Sequence, residues 1–200
     1  MQKREIRMNP CSSMHITVRP LSAKLWPALE NLFGDRGACN GCWCMYWRIG
    51  SDYKRRSARA NKEQFHQIVE RGPAPGLVAL KGALAVGWCQ LSARCSLPWL
   101  DRVWRLKRVD EVPVWSLSCF YIRKGYRNLG LTSVLIGAAL KAAKAAGAPA
   151  LEAYPLDADL TPSSSGTGYA STFLRAGFKI VARHVPPRPI MRHDLKTIKS

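Results

Sequence analysis

The stretch Cys119-Phe120-Tyr121-Ile122-Arg123-Lys124-Gly125-Tyr126-Arg127-Asn128-Leu129-Gly130-Leu131-Thr132 decides how the rest of this chain is read. Upstream of it, Val114 to Ile122 is β-branched, aromatic and nearly free of charge, which predicts a strand. Downstream, Leu131, Val134, Leu135, Ala138, Ala142 and Ala145 recur at helical spacing, with Lys141 and Lys144 off that stripe. Gly147 and Pro149 then supply a helix stop. A tight basic turn feeding a helix leaves backbone N–H groups without partners, with the positive end of the helix dipole behind them. Such a turn suits a phosphate or pyrophosphate. Gly130 lets the backbone approach closely, and Arg127 adds a full charge.

The turn carries neither Gly-x-x-x-x-Gly-Lys-Ser/Thr nor Gly-x-Gly-x-x-Gly. Arg127-x-x-Gly130-x-Thr132 instead resembles the Arg-x-x-Gly-x-Gly/Ala loop of the GNAT superfamily of acyl-CoA N-acyltransferases, with Thr at the last small position. Phe120 and Ile122 match the family's strand ending, and Tyr126-Arg127 its usual entry. Leu151-Glu152-Ala153 followed by Asp157 looks like the next strand of that family, and Phe173-Leu174-Arg175-Ala176-Gly177-Phe178 looks like its aromatic-x-x-x-Gly-Phe signature. The resemblance is specific over about residues 114–180 and looser over 16–113.

The resemblance implies an α/β fold: a mixed, mostly antiparallel central sheet flanked by helices and splayed between the fourth and fifth strands. A single domain over 15–200 would follow a basic lead-in, 1–14. It further implies acetyl-CoA as acyl donor, with no metal. The pyrophosphate would fall to the amides of Asn128, Leu129, Gly130, Leu131, Thr132 and Ser133 beside Arg127, and the pantetheine arm to Phe120, Tyr121 and Ile122. Asp157 takes the family's Asn position near the coenzyme, and Phe173 stands where relatives carry a tyrosine acid.

Catalytic side chains are less clearly marked. Ser116 and Ser118 occupy the positions where many relatives place a carboxylate base, on one face of the strand by alternation. Ser171 is a weak donor next to Phe173, and Tyr154 is a further candidate unplaced by any motif. With no strong base or acid in view, positioning is expected to supply most of the acceleration, with proton transfer through water. Cys119 alternates with Leu117 and Tyr121 and reads as an inert thiol.

Two hundred residues suffice for a sizeable core. No apolar run reaches membrane-spanning length, and the charged first residues carry no secretory pattern, so a cytoplasmic protein is expected. Seven scattered cysteines fit free thiols. The net charge of +18 favours acidic partners, and coenzyme A is itself polyanionic. Nucleic acid is weighed but not favoured, because no recognition motif accompanies the charge. A homodimer is left open.

Cys39, Cys42 and Cys44 could supply thiolates to zinc, with His66 or another cysteine as a fourth ligand, yet no second pair stands at zinc-finger spacing. The aromatics among them, Trp43, Tyr46 and Trp47, are candidates for one wall of the acceptor site, with core packing the equal alternative. Elsewhere the pattern predicts a strand from Ile16 that ends at Pro20, helices over 26–33 and 61–72, and a hairpin of 76–80 with 83–91. A connection over 93–113 follows, then a strand over 150–154, a loop over 162–168, a helix over 169–176 and a strand pair of 178–184 with 190–195. The activity implied is direct transfer of acetyl to a primary amine of a small molecule or protein. Acetylation of aminoacyl-tRNA, or a coenzyme-binding module without catalysis, are the alternatives.

Overall fold

The charge-poor run after Val114 forms a strand, Trp115–Ile122, that lies at the centre of one seven-stranded sheet. The computed structural model describes residues 15–157 and 166–195. The strands are β1 (Thr17–Pro20), β2 (Gly76–Lys81), β3 (Leu84–Ala93), β4 (Trp115–Ile122), β5 (Ala150–Ala153), β6 (Lys179–Val185) and β7 (Arg188–Asp194), in the order β1-β2-β3-β4-β5-β7-β6. All neighbours are antiparallel except β4 and β5. The last strand therefore inserts between β5 and β6.

Helices cover both faces: α1 (Trp26–Phe33), α2 (Tyr46–Ile49), α3 (Ala58–Arg71), α4 (Trp99–Arg102), α5 (Leu131–Ala145) and α6 (Ala170–Arg175). One face buries Leu77, Ala79, Leu117 and Phe120 under α5 and α6, through Leu135, Ile136, Ala139 and Phe173. The other buries Val78, Leu80 and Trp88 under α1 and α3, through Leu29, Phe33 and Phe65. The alternation of β2 thus feeds two cores, the arrangement expected of a strand covered on both sides. α3 starts earlier than the sequence pattern predicts because Ser57 caps it, its Oγ accepting from the Ala60 amide at 3.1 Å. Between β3 and β4, α4 is flanked by 3-10 turns at Arg94–Ser96 and Trp104–Leu106, and Leu97, Leu100 and Leu106 are buried against Trp47, Tyr154 and Ile190.

Two local irregularities position the site. Gln90 pairs with Cys119 but Leu91 pairs with Leu117, so Ser118 is an extra residue on β4. And β5 pairs with β4 only from Trp115–Leu151 to Leu117–Ala153. Pro155 has no N–H to continue a ladder, and Leu156 bridges to Tyr169 instead. Residues 118–122 of β4 are therefore left without a strand on that edge, which is the splay. The lead-in 1–14 and residues 162–165 of the expected loop lie outside the described residues. Among the described residues, no helix is long and apolar enough to cross a membrane.

Candidate functional site

The turn after β4 leads into α5 through Asn128 at φ 62° and Gly130 at φ 76°, both left-handed. Gly130 is the N-cap, so no side chain caps the helix, and its first turn holds no acidic residue. Among the described residues, no backbone acceptor takes an N–H from Arg127 through Ser133; the first engaged amide is that of Val134, to the Gly130 carbonyl at 3.2 Å. Residues 127–130 and Ser133 are exposed, and Thr132 is half-buried. Seven consecutive free donors at the positive end of a four-turn helix form an anion cradle. The Arg127 guanidinium folds back, its Nε donating to the Ile122 carbonyl at 3.3 Å, which keeps its charge beside the cradle.

From that cradle the open edge of β4 runs back towards the splay. The Phe120 amide, on the strand segment expected to take the pantetheine arm, donates instead to the Gly166 carbonyl at 2.6 Å. The chain leading into α6 crosses here, since Leu156 donates to the Gly168 carbonyl and Ala170 to that of Leu156, each at 2.8 Å. Phe173, in place of a tyrosine, is fully buried, 6.1 Å from the Phe120 ring and 5.1 Å from that of Phe178. Ser171 is exposed on α6, and Asp157 pairs with Arg183 at 2.5 Å.

Ser116 and Tyr154, the expected proton-transfer candidates, are joined to each other rather than set on an open surface. Their hydroxyls lie 2.8 Å apart, and Tyr154 is 1% exposed. Tyr154 also donates to Glu152 at 3.2 Å and accepts from Arg94 at 2.8 Å. Glu152, itself 1% exposed, is gripped from opposite sides by Arg94 at 3.1 Å and Arg192 at 2.7 Å. Burial, followed by the negative charge of Glu152, pushes the Tyr154 phenol well above its ordinary value. That makes it a poor acid and fits a role in clamping β4 to β5 below the splay.

Ser118 lies higher up, at the extra residue. Its Oγ donates to Gln90 Oε1 at 3.0 Å, and its carbonyl accepts from the Trp47 indole at 3.1 Å. Gln90 in turn donates to the Cys44 carbonyl at 3.1 Å. Past Ser118 the strand's alternation is reset: Leu117 belongs to the core under α5 and Tyr121 to the core under α1. Cys119 therefore does not share a single apolar face with both. It is half-buried, its Sγ 3.9 Å from the Phe120 carbonyl oxygen; the neighbouring Cys44 thiol holds it below its ordinary value, and Cys119, with burial, raises Cys44.

The three aromatics expected at the acceptor wall part company. Trp43 is fully buried, its ring stacked at 5.9 Å on that of Trp26 and tilted against that of Phe33 at 5.4 Å, so it serves the core. Tyr46 is half-buried and packs on Trp47 at 4.6 Å, next to the extra residue of β4. Cys39 is exposed, Cys42 half-buried and Cys44 buried; His66 stacks on Trp26 at 4.4 Å. Among the described residues, no three His, Cys, Asp or Glu side chains converge on a metal position.

Sequence reasoning missed Gln90, Arg94 and Glu152 as site-forming residues. For Gln90 and Glu152, an amide or charged residue inside a predicted apolar strand was the available signal, because such a group is buried only with partners; Arg94, in the expected connection, carried none.

A family model described as "Acetyltransferase (GNAT) family" matches residues 42–178. No curated protein matches the sequence. Among solved structures, an N-acetyltransferase from Staphylococcus aureus Mu50 superposes with a TM-score of 0.56 at 16% identity, covering 91% of this chain and 99% of the other. PaiA N-acetyltransferase from Thermoplasma acidophilum, in complex with coenzyme A, gives 0.54 at 16% identity, covering 90% and 99%. YncA of Salmonella typhimurium, a putative acetyltransferase with acetyl-CoA, gives 0.54 at 12% identity, covering 93% and 97%. These likenesses establish a shared fold.

Proposed function

This chain belongs to the GNAT acetyltransferase family, and from that premise we propose that it moves acetyl from acetyl-CoA to a primary amine of a small molecule or protein by direct transfer. The observation that carries the reading is the run of unengaged amides from Arg127 to Ser133 at the head of α5, with the open edge of β4 leading away from it. A diphosphate needs such a concentration of N–H donors and dipole, and an extended arm needs an unpaired strand edge. The donor supplies an activated thioester, while the protein holds and orients the reactants. Asn128 to Ser133 receive the diphosphate, Arg127 adds charge, and Tyr121 and Ile122 border the arm.

Neither Ser116 nor Ser118 is basic, and each hydroxyl is already committed. Orientation therefore carries the chemistry, with the amine losing its proton to water. Phe120 can offer its amide to the acyl oxygen once Gly166 releases it. The test is a direct assay of coenzyme A release from acetyl-CoA against a panel of amines. Amine-dependent release supports the reading; uptake of acetyl-CoA without transfer to any amine would replace it with a binding module.

A further inference from the structure

The stretch Cys39-Asn40-Gly41-Cys42 has no part in the coenzyme site. The Cys42 amide donates to the Cys39 carbonyl at 2.9 Å, and the two residues between them are left-handed, Asn40 at φ 46° and Gly41 at φ 71°. Two such central residues under an i-to-i+3 bond make a type I′ turn, whose flanking residues stand opposite each other as a cross-strand pair does. The flanking Cα atoms of a turn lie within about 7 Å, and a disulfide spans roughly 4.4–6.8 Å between Cα atoms. The turn is also held from outside the pair. Asn61, fully buried on α3, donates to the Gly41 carbonyl at 2.9 Å, and the Gly41 amide donates to the Arg36 carbonyl at 2.8 Å. Two thiols are therefore carried on one preformed backbone turn.

The two sulfurs differ in access. Cys39 is exposed and Cys42 half-buried, and burial pushes the Cys42 thiol up to about 11. An attacking thiol must be reachable, whereas a resolving thiol gains from its position beside the first what it lacks in ionisation. Among the described residues, no three His, Cys, Asp or Glu side chains converge on a metal position, so the pair is not part of a larger ligand set. Cys95, the other exposed thiol among the described residues, sits in the 3-10 turn Arg94–Ser96, and its nearest cysteine in sequence is the buried Cys89 on β3.

We infer that Cys39 and Cys42 are a dithiol site for small-molecule disulfides, closing reversibly to a disulfide across the turn. The Cys39 thiolate attacks one sulfur of the small disulfide, forming a mixed disulfide and releasing one thiolate. Cys42 then loses its proton and attacks Cys39 Sγ, which breaks the mixed bond and releases the second thiolate. The released thiolates take up the protons that Cys39 and Cys42 gave up, so the pair is oxidised and the small disulfide is reduced to two thiols. Excess thiol reverses both steps. Closure pins the segment that runs on to α2, where the Met45 amide donates to the Cys42 carbonyl at 2.8 Å and Gln90 holds the Cys44 carbonyl. None of this chemistry involves acetyl-CoA.

The experiment incubates the reduced full chain with oxidised glutathione, quenches it in acid, alkylates the remaining thiols and maps the cysteines by mass spectrometry. Chymotryptic cleavage after Trp43 separates Cys42 from Cys44. Cys39 and Cys42 are expected to be joined to each other, with glutathione on Cys39 at least about tenfold scarcer than on Cys95. Excess reduced glutathione should restore both thiols. Cys42→Ser should trap glutathione on Cys39 at a level similar to that on Cys95. Four results on the parent chain overturn the inference, whatever the variant does: equal glutathione on Cys39 and Cys95, a disulfide from Cys39 to any cysteine but Cys42, both thiols left free, or a bond that excess glutathione does not reopen.

Discussion

The backbone amide of Phe120 donates to the carbonyl of Gly166 at 2.6 Å, across the edge of β4 that β5 leaves open. One donor cannot serve both this carbonyl and an incoming acyl oxygen. Acetyl-CoA is therefore expected to exchange the partner of Phe120 and loosen residues 166–169, while protecting the amides of 127–133. Hydrogen exchange with and without acetyl-CoA reads both. Protection confined to 127–133, with Phe120 unchanged, would show that the arm leaves this amide alone.

Glu152 sits between Arg94 and Arg192 with almost no exposure. Glu152→Gln removes the buried carboxylate charge from between two guanidinium groups, leaving Arg94 only Asp101 and Arg192 only Asp110, so a loss of about 1.5–3 kcal/mol and a Tm lower on the order of 5 °C are expected. Tyr154→Phe removes a hydroxyl shared by Ser116, Glu152 and Arg94 and should cost about 1–3 kcal/mol, with turnover of the folded fraction largely kept. Calorimetric melting and assay of the same samples check both. Near-complete loss of turnover in a stably folded Tyr154→Phe variant would make the phenol catalytic.

Much of this was legible in the sequence, and the reason is range. Residues 114–147 are specified by contacts within one strand, one turn and one helix, so the existence of all three was legible, although the buried face of the helix is Leu131, Leu135, Ile136, Ala139 and Ala143, with Val134 and Ala145 of the expected stripe exposed. The family resemblance added the splay. The clamp below it was not legible, since Arg94 and Glu152 are 58 residues apart and nothing local records their meeting. The extra residue at Ser118 carries no Gly or Pro to mark it, and it moved Cys119 to the other face. α2, only four residues long, was lost in a stretch rich in cysteine and tryptophan that lacks periodicity.

Arg192 holds Asp110 with two hydrogen bonds, 2.6 and 3.0 Å, which keep the Asp110 carboxyl below its ordinary 3.8. A depressed carboxyl stabilises above its unfolded value, and that contribution is lost as pH falls through the folded one. Because Asp110 is largely exposed, Asp110→Asn should cost only about 0.5 kcal/mol at neutral pH. The difference from the parent should vanish in the range below 3.8. Urea unfolding at several pH values measures it; a gap that widens on acidification would reverse the sign.

Trp47 donates its indole N–H to the Ser118 carbonyl at the point where β4 gains its extra residue. Trp47→Phe keeps most of the packing and deletes that bond, leaving a buried carbonyl short of a donor. The expected cost is about 1–3 kcal/mol of stability, with a fall in kcat larger than the change in KM for acetyl-CoA. Equal kcat in the variant would separate the indole from the geometry of the site.

Diphosphate recognition at the head of α5 is tested directly by Ser133→Glu. A carboxylate in the first turn favours the helix dipole, so the fold should hold, yet it opposes an anion in the cradle. Calorimetric titration with acetyl-CoA should show uptake by the parent chain and an affinity weaker by about tenfold or more in the variant. Absence of uptake by the parent, or equal affinity in both, would contradict it.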